Sequence, residues 1–179
     1  MNNGCCAVLG HFPTRFAWGF DETDPGCVSF KMQLILALDG LCAKAGKFLV
    51  VCDPGVGLYA AEAINTLRAR NPGIYLDCVL PYEETATKWP SDLRDRHFTS
   101  LEECSHVTCV HRAKAPGCQL DAYKYTIDAS DYVLAVYDPD SARGDVVDQA
   151  VAYAEQKGKV MVLFHPDTFA LSIHQGCGK

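Results

Sequence analysis

The run Tyr132-Val133-Leu134-Ala135-Val136-Tyr137 does most to limit the folds open to this chain. It is rich in Val, Leu and Ala with no polar alternation, the pattern of a central parallel strand covered on both faces. A polar helix end, residues 125–131, runs into it, and an acidic loop opening at Asp138 follows it. In open α/β sheets ligands sit beyond the carboxyl ends of such strands, so the chemistry of this chain is expected in its loops.

Apolar runs and helical patterns alternate along the remaining sequence. Residues 5–9, 48–52, 74–80, 106–111, 132–137 and 159–164 read as strands. Helical spacing predicts helices over 27–45, stopped by Gly46, and from Pro54-Gly55-Val56-Gly57 to near Asn71. Further helices are expected over 91–103, with Ser91 as its cap, over 119–129 and over 145–157. The economical topology is a Rossmann-like, doubly wound and mainly parallel sheet of about six strands with helices on both faces. With 179 residues, 49% of them hydrophobic, the chain reads as a single domain, with a core over about 5–166 and an irregular tail over 167–179.

The formal charge of −6 argues against nucleic acid and anionic membranes as partners, because both need a basic surface. No apolar run approaches the roughly 18 residues of a membrane span, and the first residues lack the basic region of a secretory signal. Cytoplasmic residence is expected. The ten cysteines are scattered through apolar patterns, as small buried hydrophobes in a reducing compartment would be. Cys104, His106, Cys109, His111 and Cys118 invite a zinc reading, but strand alternation puts His106 and Cys109 on opposite faces and no Cys-x-x-Cys is present. No metal and no cofactor are expected.

Four loops carry unusual residues. The first, from Gly10 and His11 through Phe12, Arg15, Phe16 and Trp18 to Asp21, is long and aromatic. Either its rings stack on a flat ligand while Arg15 and His11 contact a phosphate, or Phe12, Phe16, Trp18 and Phe20 cap the core or a dimer surface. The second, Asp53-Pro54-Gly55-Val56-Gly57-Leu58-Tyr59, opens a helix whose free amides suit an anion, although paired glycines also serve tight turns. Glu62, one turn further, could accept from ribose hydroxyls. In the third loop Pro81, Tyr82 and Glu83 could meet a base or sugar, with Lys88 and Trp89 closing over it. The fourth runs from Asp138 through Ser141 and Arg143 to Gly144 and Asp145. Its acidic residues fit hydroxyl recognition better than bare phosphate unless Arg143 intervenes.

Taken in order, Gly10-His11-Phe12-Pro13, Gly55-Val56-Gly57-Leu58-Tyr59-Ala60-Ala61-Glu62, Pro81 with Lys88-Trp89-Pro90, Pro116-Gly117-Cys118, and Ile127-Asp128-Ala129-Ser130-Asp131 through Asp138 form a collinear series over residues 5–166. The series resembles the YpsA-like family of the SLOG superfamily, a Rossmann-like group related to LOG and DprA-type proteins. That resemblance implies a nucleotide or nucleotide-sugar pocket at the carboxyl ends of the strands. It also implies relatives that sense NAD- or ADP-ribose-derived signals in antiviral defence, and a LOG branch that hydrolyses nucleoside monophosphates. The chain departs from the family pattern at Phe12, where an arginine is usual, at Gly57 and Tyr59, at Ala122-Tyr123-Lys124, which keeps one cation of two, and at Ala142-Arg143-Gly144-Asp145. The catalytic run of the LOG branch is absent.

Non-catalytic binding of a nucleotide-derived small molecule, of NAD, ADP-ribose or cyclic-nucleotide type, is therefore the expected function, as a sensor or a sequestering protein in conflict between bacteria and phage. One alternative is a nucleotide N-glycosidase or phosphoribohydrolase with Glu62 as acid or base and Arg15 and Lys124 on the phosphate. Another is a degenerate scaffold for protein contacts. A homo-oligomer is compatible with all three.

Overall fold

The computed structural model describes residues 4–176; residues 1–3 and 177–179, the extremes of the expected domain and its tail, lie outside the described residues. Strands β1 (Gly4–Gly10), β2 (Ala45–Val51), β3 (Tyr75–Tyr82), β4 (His106–His111), β5 (Tyr132–Val136), β6 (Val160–Phe164) and β7 (Leu171–Gln175) form one sheet in the order β4-β3-β2-β1-β5-β6-β7. Every neighbouring pair is parallel except β6 with β7. The helices are α1 (Pro25–Leu41), α2 (Val56–Arg70), α3 (Ser91–Glu103), α4 (Cys118–Asp128) and α5 (Val146–Gln156). The architecture is the doubly wound α/β fold.

Each strand of the sheet centre feeds two cores. In β1, Cys6 and Val8 pack with α1 and α2 residues, while Ala7 and Leu9 pack with α4 and α5 residues. None of the four is more than 1% exposed, which accounts for the absence of polar alternation. Helices α1, α2 and α3 lie on one face and α4 and α5 on the other. The direction of winding reverses between β1 and β5, so the carboxyl ends of these two strands flank the switch point.

Three sequence expectations change. Residues 171–175, expected to be irregular, form β7, an antiparallel seventh strand on the edge of β6. The first helix ends at Leu41 and not near 45, because Ala45 already pairs with Gly4 and draws Gly46 into β2. Ser91 is the first helical residue of α3 behind Pro90 and makes no capping bond. Among the described residues no helix is long and apolar enough to cross a membrane, and Cys5, Cys6, Cys27, Cys52, Cys78, Cys104, Cys109 and Cys118 are free thiols.

Candidate functional site

At the switch point the sequence supplies the right groups, and the fold spends them on one another. Gly10 ends β1 where a Cβ would meet Val136 Cβ at 2.7 Å, so this glycine serves close packing. His11 is 1% exposed, its ring set against Phe16 and Tyr137. Burial, reinforced by the nearby Arg15 charge, lowers its pKa to about 4, so at neutral pH it is an uncharged core residue. Its Nε2 faces the amide of Asp138 at a long 3.5 Å.

Arg15 is equally committed. Its guanidinium bridges Asp145 at 3.0 Å and Asp148 at 3.1 Å and donates to the Ser141 carbonyl at 2.9 Å, with the side chain 2% exposed. Asp148 is the acceptor for a turn of free amides. Its Oδ2 receives Arg143 N at 2.6 Å, Gly144 N at 2.5 Å and Asp145 N at 3.1 Å. Asp145 in turn caps α5 through Val147 N and Asp148 N. Burial alone would raise the Asp148 pKa, but the Arg143 amide, the Tyr137 hydroxyl and Arg15 outweigh it and bring it to about 2. The nest and cation that would cradle a phosphate thus hold a carboxylate of the protein itself. Asp138 caps its own turn at Asp140 N, and the Ser141 hydroxyl returns to Asp138 O.

The start of α2 is similarly closed. Val56 N donates to His11 O and Leu58 N to Asp53 O. Gly55 adopts φ +89°, and a Cβ on Gly57 would meet Val51 O at 2.3 Å. Both glycines therefore answer backbone demands. Phe12 packs into the α4 and α5 core, while Trp18 stacks on Phe16 at 4.5 Å and touches Phe30. Tyr59 is buried beneath Lys31 and Arg96. Glu62 does not stand free as an acid or base, because Arg96 holds both of its oxygens at 2.6 and 2.9 Å while also bonding Glu22 of the first loop. Lys124 lies away from the carboxyl edge, over the Tyr153 ring of α5, and Tyr153 bonds Asp128 at the far end of α4.

Between β2 and α4 lies a second polar group. Asp53, 4% exposed, accepts from Gln119 Nε2 and, at 3.4 Å, from the Tyr123 hydroxyl. Burial lifts its pKa to about 7 against the opposing pull of Gln119, His97 and Tyr123. A carboxyl that titrates near neutrality at the end of a central strand is a recognised mark of functional sites.

Two clefts open on the carboxyl edge, one of about 360 Å³ between the first loop and the start of α3 and a larger one at the ends of β3 and β4. The larger, of about 630 Å³, is lined by Tyr82, Glu83, Lys88, Trp89, Arg112 and Lys114, among others. Pro81 is buried in β3 just before it. Trp89 is braced edge-on against His97 at 5.0 Å. Among the described residues none of Lys88, Arg112 and Lys114 enters an ion pair. Of the residues lining this cleft, Tyr82, Glu83, Lys88 and Trp89 are ones the sequence singles out, whereas Arg112 and Lys114 are not, their signal being two cations in the loop directly after a strand. Asp148 is not singled out either, although Asp145-x-x-Asp148 has the spacing of a capping box.

Asp138, His165 and Asp167 bring donor atoms within 4.8 Å of one another. His165 Nδ1 accepts from Asp167 N and Thr168 N at 3.2 and 3.3 Å, which leaves the proton of the neutral ring on Nε2, 3.7 Å from Asp138 Oδ1. The imidazole therefore offers a proton there and not a lone pair.

The model of the YpsA family, described as the YspA SLOG family, matches residues 6–169. UPF0398 proteins of Bacillus thuringiensis (strain Al Hakam) and Bacillus cereus (strain Q1) are each 27% identical over 158 residues, covering 86% of this chain and 84% of theirs. The solved structure of DNA processing protein A from Helicobacter pylori, described for its single-stranded DNA binding mode, superposes with a TM-score of 0.60 at 12% identity. That match covers 90% of this chain and 65% of the other. DNA processing protein A from Streptococcus pneumoniae superposes with a TM-score of 0.59 at 9% identity, over 90% of this chain and 50% of its own. These likenesses establish the fold. They also correct the exclusion of nucleic acid drawn from net charge, since a protein of this fold binds single-stranded DNA. Total charge was the wrong quantity; Lys88, Arg112 and Lys114 stand together on the carboxyl edge of an acidic chain.

Proposed function

Because the chain belongs to the YpsA SLOG family, we propose that it binds a nucleotide-derived small molecule without turning it over, as a sensor or sequestering protein, in the cleft at the ends of β3 and β4. The observation that carries this reading is the set of cations, Lys88, Arg112 and Lys114, that enter no ion pair among the described residues and line a cleft of about 630 Å³ together with Tyr82 and Trp89. Unpaired cations suit a phosphate, and half-buried rings in the same lining suit a base. Glu83, in the same cleft, is placed to accept from ribose hydroxyls. Binding of this kind requires no nucleophile, and Glu62 is already held by Arg96.

A second reading shares this chemistry. Cations interleaved with rings also track single-stranded nucleic acid, and the H. pylori fold neighbour is described as binding single-stranded DNA.

Titration calorimetry against NAD, ADP-ribose, cyclic nucleotides and a thymidine oligonucleotide separates the two. Saturable heat with a mononucleotide or dinucleotide, returned intact on chromatography and weakened at least about tenfold by Arg112→Glu, supports the small-molecule reading. Binding confined to the oligonucleotide replaces it with the second. Release of free base refutes non-catalytic binding, and absence of heat with every compound refutes both readings.

A further inference from the structure

A face of the molecule remote from this cleft is apolar where it meets solvent. Helix α1 buries Cys27, Phe30, Leu34 and Leu38 against the sheet, and its opposite side presents Val28, Met32 and Leu36, which are 47%, 62% and 61% exposed. With Gly40 they form a single row at intervals of four residues. A Cβ at Gly40 would meet nothing within 4 Å, so the row ends in an open notch.

Beside α1 the sheet is uncovered. Phe164 pairs with Leu171 and Val162 with Ile173, and paired residues share a face, here the α1 side to which Phe164 belongs. Leu171 and Ile173 are 54% and 72% exposed. Leu36, Gly40, Leu41, Val162 and Leu171 line a groove of about 170 Å³ between helix and sheet. The exposed neighbours Ser29 and Gln33 are uncharged, Asp39 next to Gly40 is exposed and charged, and β7 contains no Asp, Glu, Lys or Arg, in a chain with 21% charged residues.

We propose that two copies of this chain associate through this face, with α1 crossing α1 of the second copy. A face on which the apolar row is bordered by the exposed carboxylate of Asp39 and otherwise by uncharged residues offers little for a charged partner to read, whereas the row is complementary to itself. A two-fold axis between Met32 and Leu36 sets Met32 against Leu36 of the second copy and Val28 against the notch at Gly40 of the second copy. Rows of this spacing pack at a crossing of about −50°. The exposed parts of Val28, Met32, Leu36, Leu171 and Ile173 amount to on the order of 500 Å² per copy, most of the roughly 800 Å² per partner in a standard interface. The proposal is independent of the ligand cleft.

Sedimentation velocity on the full chain up to about 200 µM tests it. The expected result is a concentration-dependent monomer–dimer equilibrium for the native chain. Met32→Lys and Leu36→Glu should each weaken it at least about thirtyfold. An equimolar mixture of the two variants should form dimers again, since the new charges face each other across the axis. Thermal melts of both variants are expected to match the native chain because the substituted side chains are exposed. A native chain that stays monomeric, a single variant that stays dimeric, or a mixture of the variants that stays monomeric would each overturn the proposal.

Discussion

Replacing Asp53 with asparagine asks whether the buried carboxyl at the end of β2 is protonated in the folded chain. The group is 4% exposed, and its hydrogen bonds come from the neutral donors Gln119 and Tyr123. The adjacent His97 is itself pushed toward its neutral form, chiefly by burial. Burial therefore dominates and raises the Asp53 pKa from 3.8 to about 7. Between these values the unfolded chain releases the proton while the folded chain keeps it, so stability falls as pH rises and levels off above about pH 7. The slope is about 1.4 kcal/mol per pH unit and the full loss is on the order of 4 kcal/mol. The amide introduced by Asp53→Asn has the same shape as the carboxyl and no proton to lose. Urea unfolding of both proteins should show the variant gaining on the native chain by about 3 kcal/mol between about pH 4.5 and 7.5, with no further gain above that. Taking the difference cancels the titrating groups that do not interact with Asp53. Stability profiles that run parallel across this window would show that Asp53 is ionised in the folded chain, and the assignment of burial as the dominant cause would fail.

Arg15→Met should cost about 3 kcal/mol in chemical denaturation, because it strands the carboxylates of Asp145 and Asp148 at a nearly buried site. The stability contributed by the depressed pKa of Asp148 is present above about pH 4 and lost as pH falls toward about 2, and Asp148→Asn should flatten that acid limb in a thermal-melt series. Gly57→Ala should destabilise by about 2 kcal/mol or more, measured by urea titration, because the added Cβ collides with the Val51 carbonyl, a backbone atom. Reversing Arg112 and Lys114 to Glu together should lower nucleotide affinity at least about tenfold by calorimetry while unfolding stability stays within about 0.5 kcal/mol of native.

The elements that sequence reading found best are those whose own residues carry a clear helical or apolar pattern. The helix Ser91–Glu103 and the strand His106–His111 have the bounds expected from pattern, and β5 reads as fully buried because both its faces are. β7 escaped because Leu171, Ser172, Ile173, His174 and Gln175 are all exposed, so no burial period marks them. The site was half legible. Aromatic and cationic residues after strands could be recognised, but whether a cation is free depends on what the chain brings to it across a long sequence separation. Arg15 meets Asp145 and Asp148 across more than a hundred residues, and Glu62 meets Arg96 from a different helix. Nothing local distinguishes those pairs from Arg112 and Lys114, which enter no ion pair among the described residues.

On the proposed function, that contrast predicts where a phosphorylated ligand makes its first anionic contact. At the start of α5 it would have to displace Asp148, whose carboxylate already takes the amides of Arg143, Gly144 and Asp145 together with Arg15. A phosphate could at best reproduce those bonds, and it would then lie beside the displaced carboxylate and Asp145, with repulsion in place of gain. At the ends of β3 and β4, Lys88, Arg112 and Lys114 line the proposed cleft with Glu83 and Glu84 and would release no ion pair of the described residues to take up a ligand. On the proposed function, the same anion should therefore be held more tightly in the cleft than in the nest, even though the nest has the better geometry, because the cations of the cleft enter no ion pair among the described residues.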